Sequence, residues 1–313
     1  MDAVRVLLVT NSRDFAVDGL VKRLQTRGVS YARLDLDLLF SEHVLLDLQD
    51  TSLVRVFPSG TSQRIRSPSA ILYRAPTHLR ESSGHRYAPE QLLQRHQWAA
   101  FGRALSVFGD SYWMNAPAAT YAAECKPFQL SVAASVGLRI PRTAVCNFLP
   151  DFFEGSERVA VKALDSFLLR HGGGDLFFYT QGFSPSELTL EACQDMPLVM
   201  QDYITPKTDV RVTVVGNECF AAETASVIDG DWRLKRAHEF FRPTKLPAAI
   251  ETMCITVAKR LGLVYGAIDL ARVDATYYFL EINPTGEWAW LDDAFEGRIS
   301  TAIVEQLVSA RVA

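Results

Sequence analysis

The first 115 residues alternate between apolar runs and amphipathic stretches, a pattern typical of an α/β domain. An apolar run covers 4–9, helical periodicity follows over 17–27, and a second strand pattern, "YARLDLDLL", spans 31–39. Short strands broken by proline and glycine are expected within 44–75, and a helix over 89–108. The first turn contains no GxGxxG, so a dinucleotide-binding crossover is disfavoured there.

The break at "YWMNAP" separates this segment from a second pattern, and a boundary is placed near residue 115. One helix is predicted over 120–137, where Gly137 ends it. Strands are then predicted in "LRIPRTAVCN", "RVAVKAL" and "PLVMQDYI", and the glycine-rich "LRHGGGDLFF" is expected to be a loop that enters a further strand. The middle of the chain is therefore also built from helices and strands.

The last third of the chain predicts two hairpins and one helix. "DVRVTVVGNECFAAETAS" predicts a hairpin that turns at Gly216 and Asn217. A helix is expected within 246–262, followed by the strands "VYGAIDLARV" and "TYYFLEIN", which are joined through Asp274 and Ala275. These last two strands carry the most informative polar residues of the chain.

Composition narrows the class of protein further. The 313 residues suit one large α/β unit or two to three subdomains, and a net charge of -4 gives no electrostatic reason to bind nucleic acid or an anionic membrane. No apolar run approaches the length of a membrane span, so a cytoplasmic protein is expected. The five cysteines and six histidines show no zinc-ligand spacing, and no GxSxG motif occurs.

Three oxygen ligands are expected to meet in the final hairpin. Strand alternation predicts that Tyr277, Phe279, Glu281 and Asn283 share one face, and the hairpin brings Asp269 beside them. The two carboxylates could instead end their strands in solvent. Both lie in apolar runs, however, where an unpaired charge is costly, so a Mg²⁺ site is the favoured interpretation.

Two features upstream are candidates for binding phosphate. Lys162 lies inside the apolar "VAVKAL", where a lysine needs an anionic partner, although an edge-strand lysine that prevents aggregation is the alternative. Gly172, Gly173 and Gly174 in "HGGGD" would let backbone N–H groups close over phosphates. A flexible glycine loop without a ligand would have the same composition.

The end of the strand in "PLVMQDYI" is a candidate adenine site, because main-chain groups there could pair with a base edge; an ordinary strand end is the alternative. The residues concerned are Gln201, Asp202, Tyr203 and Ile204. Arg211 and Arg233 could hold phosphoryl charge, since a planar guanidinium binds phosphate oxygens with two hydrogen bonds. Either arginine could instead form a structural salt bridge.

Taken in order, these motifs resemble those of an ATP-grasp ligase over about residues 115–291. The segments that carry the resemblance are "AECKPFQL", "VAVKAL", the glycine-rich loop, "QDYI", "DVRVTVVG", "DWR", "GAIDL" and "LEINP". Within the superfamily, "LYRAP", "NAPAATYAAECKPFQL" and "EINPTGEWAWL" are most similar to the graspetide (microviridin-type) peptide macrocyclases. The resemblance implies an α/β fold in which two α+β subdomains, 116–198 and 199–313, clamp ATP behind an N-terminal pre-ATP-grasp domain, 1–115.

The resemblance also implies roles for individual residues. Lys126 joins the ATP-binding set, the oxygen ligands hold Mg²⁺, and Arg211 and Arg233 stabilise negative charge during catalysis. Arg74 and Asp209 are candidates for contacting the substrate, with a structural salt bridge as the alternative for Arg74. The implied partner is a ribosomal precursor peptide with leader and core segments, and because related ligases are commonly dimers, a homodimer is considered as well.

Two other functions compete with a macrocyclase. The first is an intermolecular ligase that joins a free amino acid to a peptide or small acid, as ribosomal-protein glutamate ligases and glutathione synthetases do. The second is a protein that binds nucleotide and peptide without ligating them. The combination of Asp269, Glu281 and Asn283 disfavours the second, because a non-catalytic protein has no need of all three.

Overall fold

The N-terminal part of the chain is a parallel sheet with a small antiparallel sheet beside it. The computed structural model describes residues 4–74, 81–83, 89–164, 168–171, 174–177, 180–189, 194–224 and 241–310. The elements of this part are β1 (Val6–Thr10), α1 (Phe15–Thr26), β2 (Tyr31–Asp35), β3 (His43–Asp47), β4 (Ser52–Val56), β5 (Ser62–Arg66), β6 (Ala70–Tyr73), β7 (Glu81–Ser83), α2 (Pro89–Ala104) and β8 (Tyr112–Met114). The parallel sheet has the order β2-β1-β6-β8, which confirms the expected strand–helix–strand start.

The central part is a four-stranded antiparallel sheet preceded by two short helices. Its elements are α3 (Pro117–Ala123), α4 (Lys126–Ser135), β9 (Thr143–Cys146), β10 (Val159–Ala163), β11 (Leu168–His171), β12 (Gly174–Phe177), β13 (Gln181–Phe183) and β14 (Leu198–Asp202). The order is β13-β10-β14-β9, while β11 and β12 form a separate hairpin that pairs with β7. The predicted boundary between residues 198 and 199 falls within β14, all of which belongs to the central sheet.

The single helix predicted over 120–137 is wrong, because the chain forms two helices there. α3 ends at Ala123 and α4 begins at Lys126, with Pro127 in the first turn of α4. Proline has no N–H and its ring collides with the preceding turn, so it is tolerated in a first turn and not in a helix interior. Pro127 therefore starts a new helix and leaves Lys126 at its N-terminus.

The C-terminal part is a five-stranded sheet of order β17-β16-β15-β18-β19. Its elements are β15 (Thr208–Val215), β16 (Glu218–Thr224), β17 (Phe241–Pro243), α5 (Ala248–Arg260), β18 (Tyr265–Val273), β19 (Thr276–Asn283), α6 (Ala289–Asp292) and α7 (Arg298–Ser309). Val215 pairs with Glu218, which confirms the predicted two-residue turn at Gly216 and Asn217. Gly216 has φ +60°, which a residue with a side chain rarely adopts.

Two hydrophobic cores cover different parts of this sheet. One face packs against α4 and α5 through residues such as Ile268 and Phe279. On the other face, Val215 and Tyr265 at one end join a core that includes α1 and α7. Arg211 and Asp269 lie on that same second face. Among the described residues, no helix has the length and apolar character needed to cross a bilayer.

Candidate functional site

Asp269, Glu281 and Asn283 lie on the same face of the five-stranded sheet. Asp269 is directly opposite Glu281 in the antiparallel pairing of β18 and β19, and Asn283 is opposite Ala267. Opposite residues in such a pair point to the same side, as do residues two apart on one strand. Asp269 is buried, Glu281 is half-buried and Asn283 is exposed, so the row runs from the protein interior towards solvent.

A β-bulge in β19 makes the predicted face wrong for Phe279. Glu281 pairs with Asp269, but the neighbouring Leu270 pairs with Phe279, so Leu280 is an extra residue without a partner in the ladder. An extra residue reverses the alternation beyond it. Phe279 therefore lies in the core on the opposite face, where the prediction had placed it beside Glu281, and Tyr278 takes its place on the side of the carboxylates.

The donor set fits Mg²⁺ bound together with an oxygen-rich ligand. Among the described residues, no three His, Cys, Asp or Glu side chains are grouped to hold a metal ion. The row instead offers two carboxylates and one amide, whose Oδ1 already accepts a hydrogen bond of 2.9 Å from the backbone N of Thr285. Mg²⁺ commonly uses one or two carboxylates and completes its shell with water and phosphate oxygens.

Arg211 lies beside the carboxylates on β15, opposite Asp269. Its Nη1 donates to Asp269 Oδ1 at 2.7 Å, and its Nη2 donates to the carbonyl of Glu287 at 3.5 Å. Within the described part of the chain, Arg211 Nε has no hydrogen-bond acceptor, although the residue is only 5% exposed. An unsatisfied buried donor is costly, and an anionic oxygen would satisfy it.

The loop 284–288, which follows β19, is held against the sheet by buried hydrogen bonds. Tyr265 Oη donates to the carbonyl of Gly286 at 2.6 Å, and Asn115 Nδ2 donates to the carbonyl of Pro284 at 3.0 Å. Burial raises the pKa of Tyr265 to about 12, so the phenol keeps the proton that it donates. The Asn115 carboxamide also pairs with both backbone groups of Tyr265, at 2.9 and 3.0 Å.

Gly286 permits the close approach of this loop. A Cβ at this position would lie 2.4 Å from Ala267 Cβ and 3.1 Å from Arg211 Nη2. The first distance is far below a normal contact between carbon atoms, so only glycine fits without displacing the loop or the sheet. β19 ends three residues earlier, at Asn283, and Gly286 in the following loop packs directly beside Arg211.

Arg74 joins the N-terminal sheet to the same loop. Its Nη1 donates to the carbonyls of Thr285 and Gly286 at 3.2 and 3.0 Å, while Nε pairs with Asp14 at 3.0 Å. Burial opposes ionisation of Asp14, but Arg74 and nearby hydrogen bonds together lower its pKa below the usual value. The guanidinium also lies 4.3 Å above the Trp288 ring. Arg74 thus forms the structural salt bridge that the sequence left open.

In the central sheet, Lys162 is part of a buried polar chain. Lys162 Nζ donates to Gln201 Oε1 at 2.9 Å, and Gln201 Nε2 donates to Thr143 Oγ1 at 2.9 Å. Lys162 is 9% exposed and lies opposite Val199 on β14, on the same face as Gln201. β10 is an inner strand of the sheet, so the alternative of an edge-strand lysine does not apply.

The segment proposed for adenine begins at the end of β14. The backbone of Gln201 is committed to pairing with β9 and β10, and the Asp202 carboxylate binds Arg142 at 2.8 Å. Tyr203 follows the strand, and its ring lies 4.2 Å from the Arg158 guanidinium. Tyr203 and Ile204 thus follow the last paired residue of the sheet, where backbone groups leave the ladder.

Of the remaining predicted site residues, three lie in the described part of the chain and three lie outside it. Lys126 is the first residue of α4, and Gly174 begins β12 at the tip of the β11–β12 hairpin. Asp209 lies two residues before Arg211 on the same face, forms a salt bridge with Lys207 and is 5% exposed. Gly172, Gly173 and Arg233 lie outside the described residues.

Sequence reasoning missed several residues that shape the site. Asn115, Gln129 and Thr143 each contribute a buried or half-buried polar side chain, and Tyr278 reaches the site face only through the bulge. Buried amides make no periodic pattern, and a bulge of one residue leaves no compositional mark. The "MNAP" and "PFQL" contexts could have marked Asn115 and Gln129 as polar residues within apolar surroundings.

The central and C-terminal sheets, with their polar rows, have the ATP-grasp fold, which solved structures share over nearly the whole chain. More narrowly, it carries a RimK-like ATP-grasp domain, whose family model matches residues 171–307. A probable α-L-glutamate ligase from Enterobacter sp. (strain 638) is 26% identical over 182 residues, which cover 55% of this chain. The match spans 59% of that relative's length.

Two solved structures are similar over nearly the whole chain. A RiPP-associated ATP-grasp ligase from Chryseobacterium gregarium, in complex with ADP and a leader and core peptide, has a TM-score of 0.83 and 25% identity, covering 98% of this chain and 97% of that one. Macrocyclase MdnC from Microcystis aeruginosa MRC, bound with precursor peptide MdnA, has a TM-score of 0.82 and 26% identity, covering 98% and 100%. Both similarities include the N-terminal part.

Proposed function

We propose that this protein is an ADP-forming ATP-grasp ligase that closes ω-ester or ω-amide macrocycles in a ribosomal precursor peptide. The observation that carries the proposal is the row of Arg211, Asp269, Glu281 and Asn283 on one sheet face, within a fold that matches two ligases of ribosomal peptides end to end. The peptide would bring both the carboxylate and the nucleophile. The ATP requirement makes the cytoplasm the expected compartment, and a homodimer remains a prediction.

In the proposed site, ATP lies between the central and the C-terminal sheet. Lys126, Lys162 and the glycines 172–174 would contact its phosphates, and the segment 201–204 its adenine. Asp269, Glu281 and Asn283 would hold Mg²⁺, which neutralises phosphate charge when it is bound. The hydrogen bond to Gln201 already orients the Lys162 side chain, so Lys162 would lose little rotamer freedom when a nucleotide binds.

The proposed reaction has two displacements. An Asp or Glu side-chain carboxylate oxygen of the peptide attacks the γ-phosphorus, the bond to the bridging oxygen breaks, and ADP leaves. A Ser or Thr hydroxyl, or a Lys amine, then attacks the acyl carbon, and inorganic phosphate leaves with the proton going to solvent. Arg211, with its buried Nε, is suited to stabilise the negative charge on the acyl phosphate and the tetrahedral intermediate, and Arg233 is proposed as its partner.

An intermolecular ligase is the second candidate. The match to a probable α-L-glutamate ligase favours it, because a RimK-like domain could equally activate one carboxylate and accept a free amino acid. The match to that relative covers 55% of this chain, whereas the peptide-bound ligases cover 98% of it, which favours the macrocyclase. The products of the two reactions differ in mass.

The test is co-expression with short peptides whose C-terminal part is rich in Asp or Glu and in Thr, Ser or Lys, followed by mass spectrometry. Loss of one water per ring, absent with Glu281→Gln, is the expected result. A gain of one amino-acid residue would establish the intermolecular ligase instead. Turnover of ATP with free glutamate and cysteine, without any peptide, would also count against the macrocyclase.

A further inference from the structure

The carboxamide of Gln129 makes the closest polar link between α4 and the metal-candidate strand. Its Nε2 donates to the carbonyl of Ile282 at 2.7 Å, and its Oε1 accepts from the N–H of Ile282 at 3.1 Å. Nε2 also donates to the carbonyl of Ala123, the last residue of α3. Gln129 is 3% exposed, so these hydrogen bonds are shielded from water.

This pairing substitutes for a missing neighbour strand. β19 is at the edge of the five-stranded sheet, where no further strand of this sheet pairs with its outward backbone groups; the N–H of Phe279 instead donates to the carbonyl of Arg139 at 2.8 Å, and Ile282 pairs with Gln129. A primary amide donates and accepts hydrogen bonds as a peptide group does, and the Gln129 amide bonds both the N–H and the carbonyl of Ile282. Ile282 lies between Glu281 and Asn283 in the sequence, so these hydrogen bonds fix the backbone between two of the candidate Mg²⁺ ligands.

The same amide also fixes the start of α4. Gln129 is three residues after Lys126, within one helical turn, and its bond to Ala123 holds the break between α3 and α4. Sliding α4 along β19 would therefore require both hydrogen bonds to Ile282 to break. Together with the apolar packing of α4 on this sheet, the Gln129 side chain therefore sets the distance between the helix terminus that bears Lys126 and the backbone of Glu281 and Asn283.

We propose that Gln129 is a positioning residue that holds Lys126 in register with Glu281 and Asn283, so that a nucleotide's phosphates can meet the lysine and the metal together. The inference rests on the proposed function, because it needs a nucleotide and Mg²⁺ in this site. Gln129 itself touches neither: it acts through the backbone of Ile282 and through the first turn of α4.

Two variants and one control test this role. Gln129→Met keeps the length of the side chain and removes all three hydrogen bonds, while Gln129→Glu keeps an acceptor for the Ile282 N–H and loses the donor to the carbonyls of Ile282 and Ala123. Leu130→Val, at the next position of the same helix, trims the buried core without touching these hydrogen bonds. Each is assayed for ADP release with varied ATP, Mg²⁺ and peptide, and for thermal unfolding.

The expected result for Gln129→Met is a rise of about tenfold in both the KM for ATP and the half-saturating Mg²⁺ concentration, with the KM for peptide unchanged. Gln129→Glu should show the same pattern. Leu130→Val should lower the unfolding temperature without raising the KM for ATP or the half-saturating Mg²⁺ concentration. Unchanged ATP and Mg²⁺ dependence in whichever Gln129 variant folds would overturn the inference. Absence of ATP turnover by the wild-type protein would overturn the proposed function first.

Discussion

At the scale of single residues, the site depends on the hydrogen-bond partners of a few buried polar atoms. Arg211 is shared between the Asp269 carboxylate and the carbonyl of Glu287, which leaves one donor, Nε, without an acceptor among the described residues. Asp269 and Glu281 meet as directly opposed residues of two strands. Two neighbouring carboxylates repel each other unless a cation lies nearby, so Arg211 and a metal ion would have complementary roles.

Removing one negative charge from this pair tests the metal assignment. Glu281→Gln keeps the size of the side chain but weakens a hard oxygen ligand, so ADP release should fall by about 100-fold or more. Raising the Mg²⁺ concentration should recover part of the activity, because the defect lies in metal binding. The matched control is Glu305→Gln on the exposed face of α7, which should retain full activity. Normal turnover by the Glu281 variant would remove the metal assignment.

At the scale of elements, the β18–β19 hairpin owes its two different faces to one bulge. Up to Leu270 the pairing follows simple alternation, and at Leu280 the extra residue moves Tyr278 to the site face and Phe279 to the core. The loop 284–288 then returns across the sheet and reaches within van der Waals contact of Ala267. Strand, bulge and loop together place Glu281 in one row with Asp269 and Arg211.

A methyl group at position 286 would disturb this arrangement. Gly286→Ala places a Cβ 2.4 Å from Ala267 Cβ, and overpacking of this kind costs about 1–3 kcal/mol of stability. Since the loop also contacts Arg211, activity should fall by more than the stability loss explains, as measured by ADP release together with urea unfolding. Gly19→Ala in α1, where no atom lies within 4 Å, should leave activity unchanged and slightly stabilise the helix.

At the scale of the whole molecule, the N-terminal sheet is locked to the C-terminal sheet by buried polar groups. Arg74 at the end of β6 reaches two carbonyls of the loop 284–288, and Asn115 after β8 pairs with Tyr265 and Pro284. The core around α1 and α7 joins the same two parts through apolar contacts. The N-terminal part therefore supports the loop beside the site as well as packing against it.

Breaking the Arg74 link should destabilise the protein in a pH-dependent way. Arg74→Ala leaves the Asp14 carboxylate buried without its cation, which should cost about 3–5 kcal/mol at pH 7 in urea unfolding. The pKa of Asp14 is lowered in the folded protein, so its stabilising contribution is present above the unfolded pKa and is lost as pH falls.

The difference between wild type and Arg74→Ala should accordingly shrink below about pH 4, where unfolded Asp14 becomes protonated. The exposed pair of Arg66 and Asp50 offers a control, and Arg66→Ala should change stability little at any pH. An equal loss of stability for Arg74→Ala at pH 7 and pH 3 would show that the cation–π contact with Trp288, and not the ion pair, dominates.

Much of this protein could be predicted from sequence because local patterns determine local structure. Apolar alternation and turn residues located the strands, the Gly216–Asn217 turn and the order of polar residues that resembles an ATP-grasp ligase. Asp269, Glu281 and Asn283 could be paired because a short connection forces two strands into a hairpin. Each of these inferences depends on residues close together along the chain.

Only the tertiary structure decided which distant groups meet. The bulge at Leu280 accompanies the packing of Phe279 into the core on the other face of the sheet. Likewise, Gln129 pairs with Ile282, 153 residues away, and Arg74 binds Gly286, 212 residues away. A side-chain amide or guanidinium can choose any backbone carbonyl that the fold brings near, so its partner is a property of the folded chain and not of the local pattern.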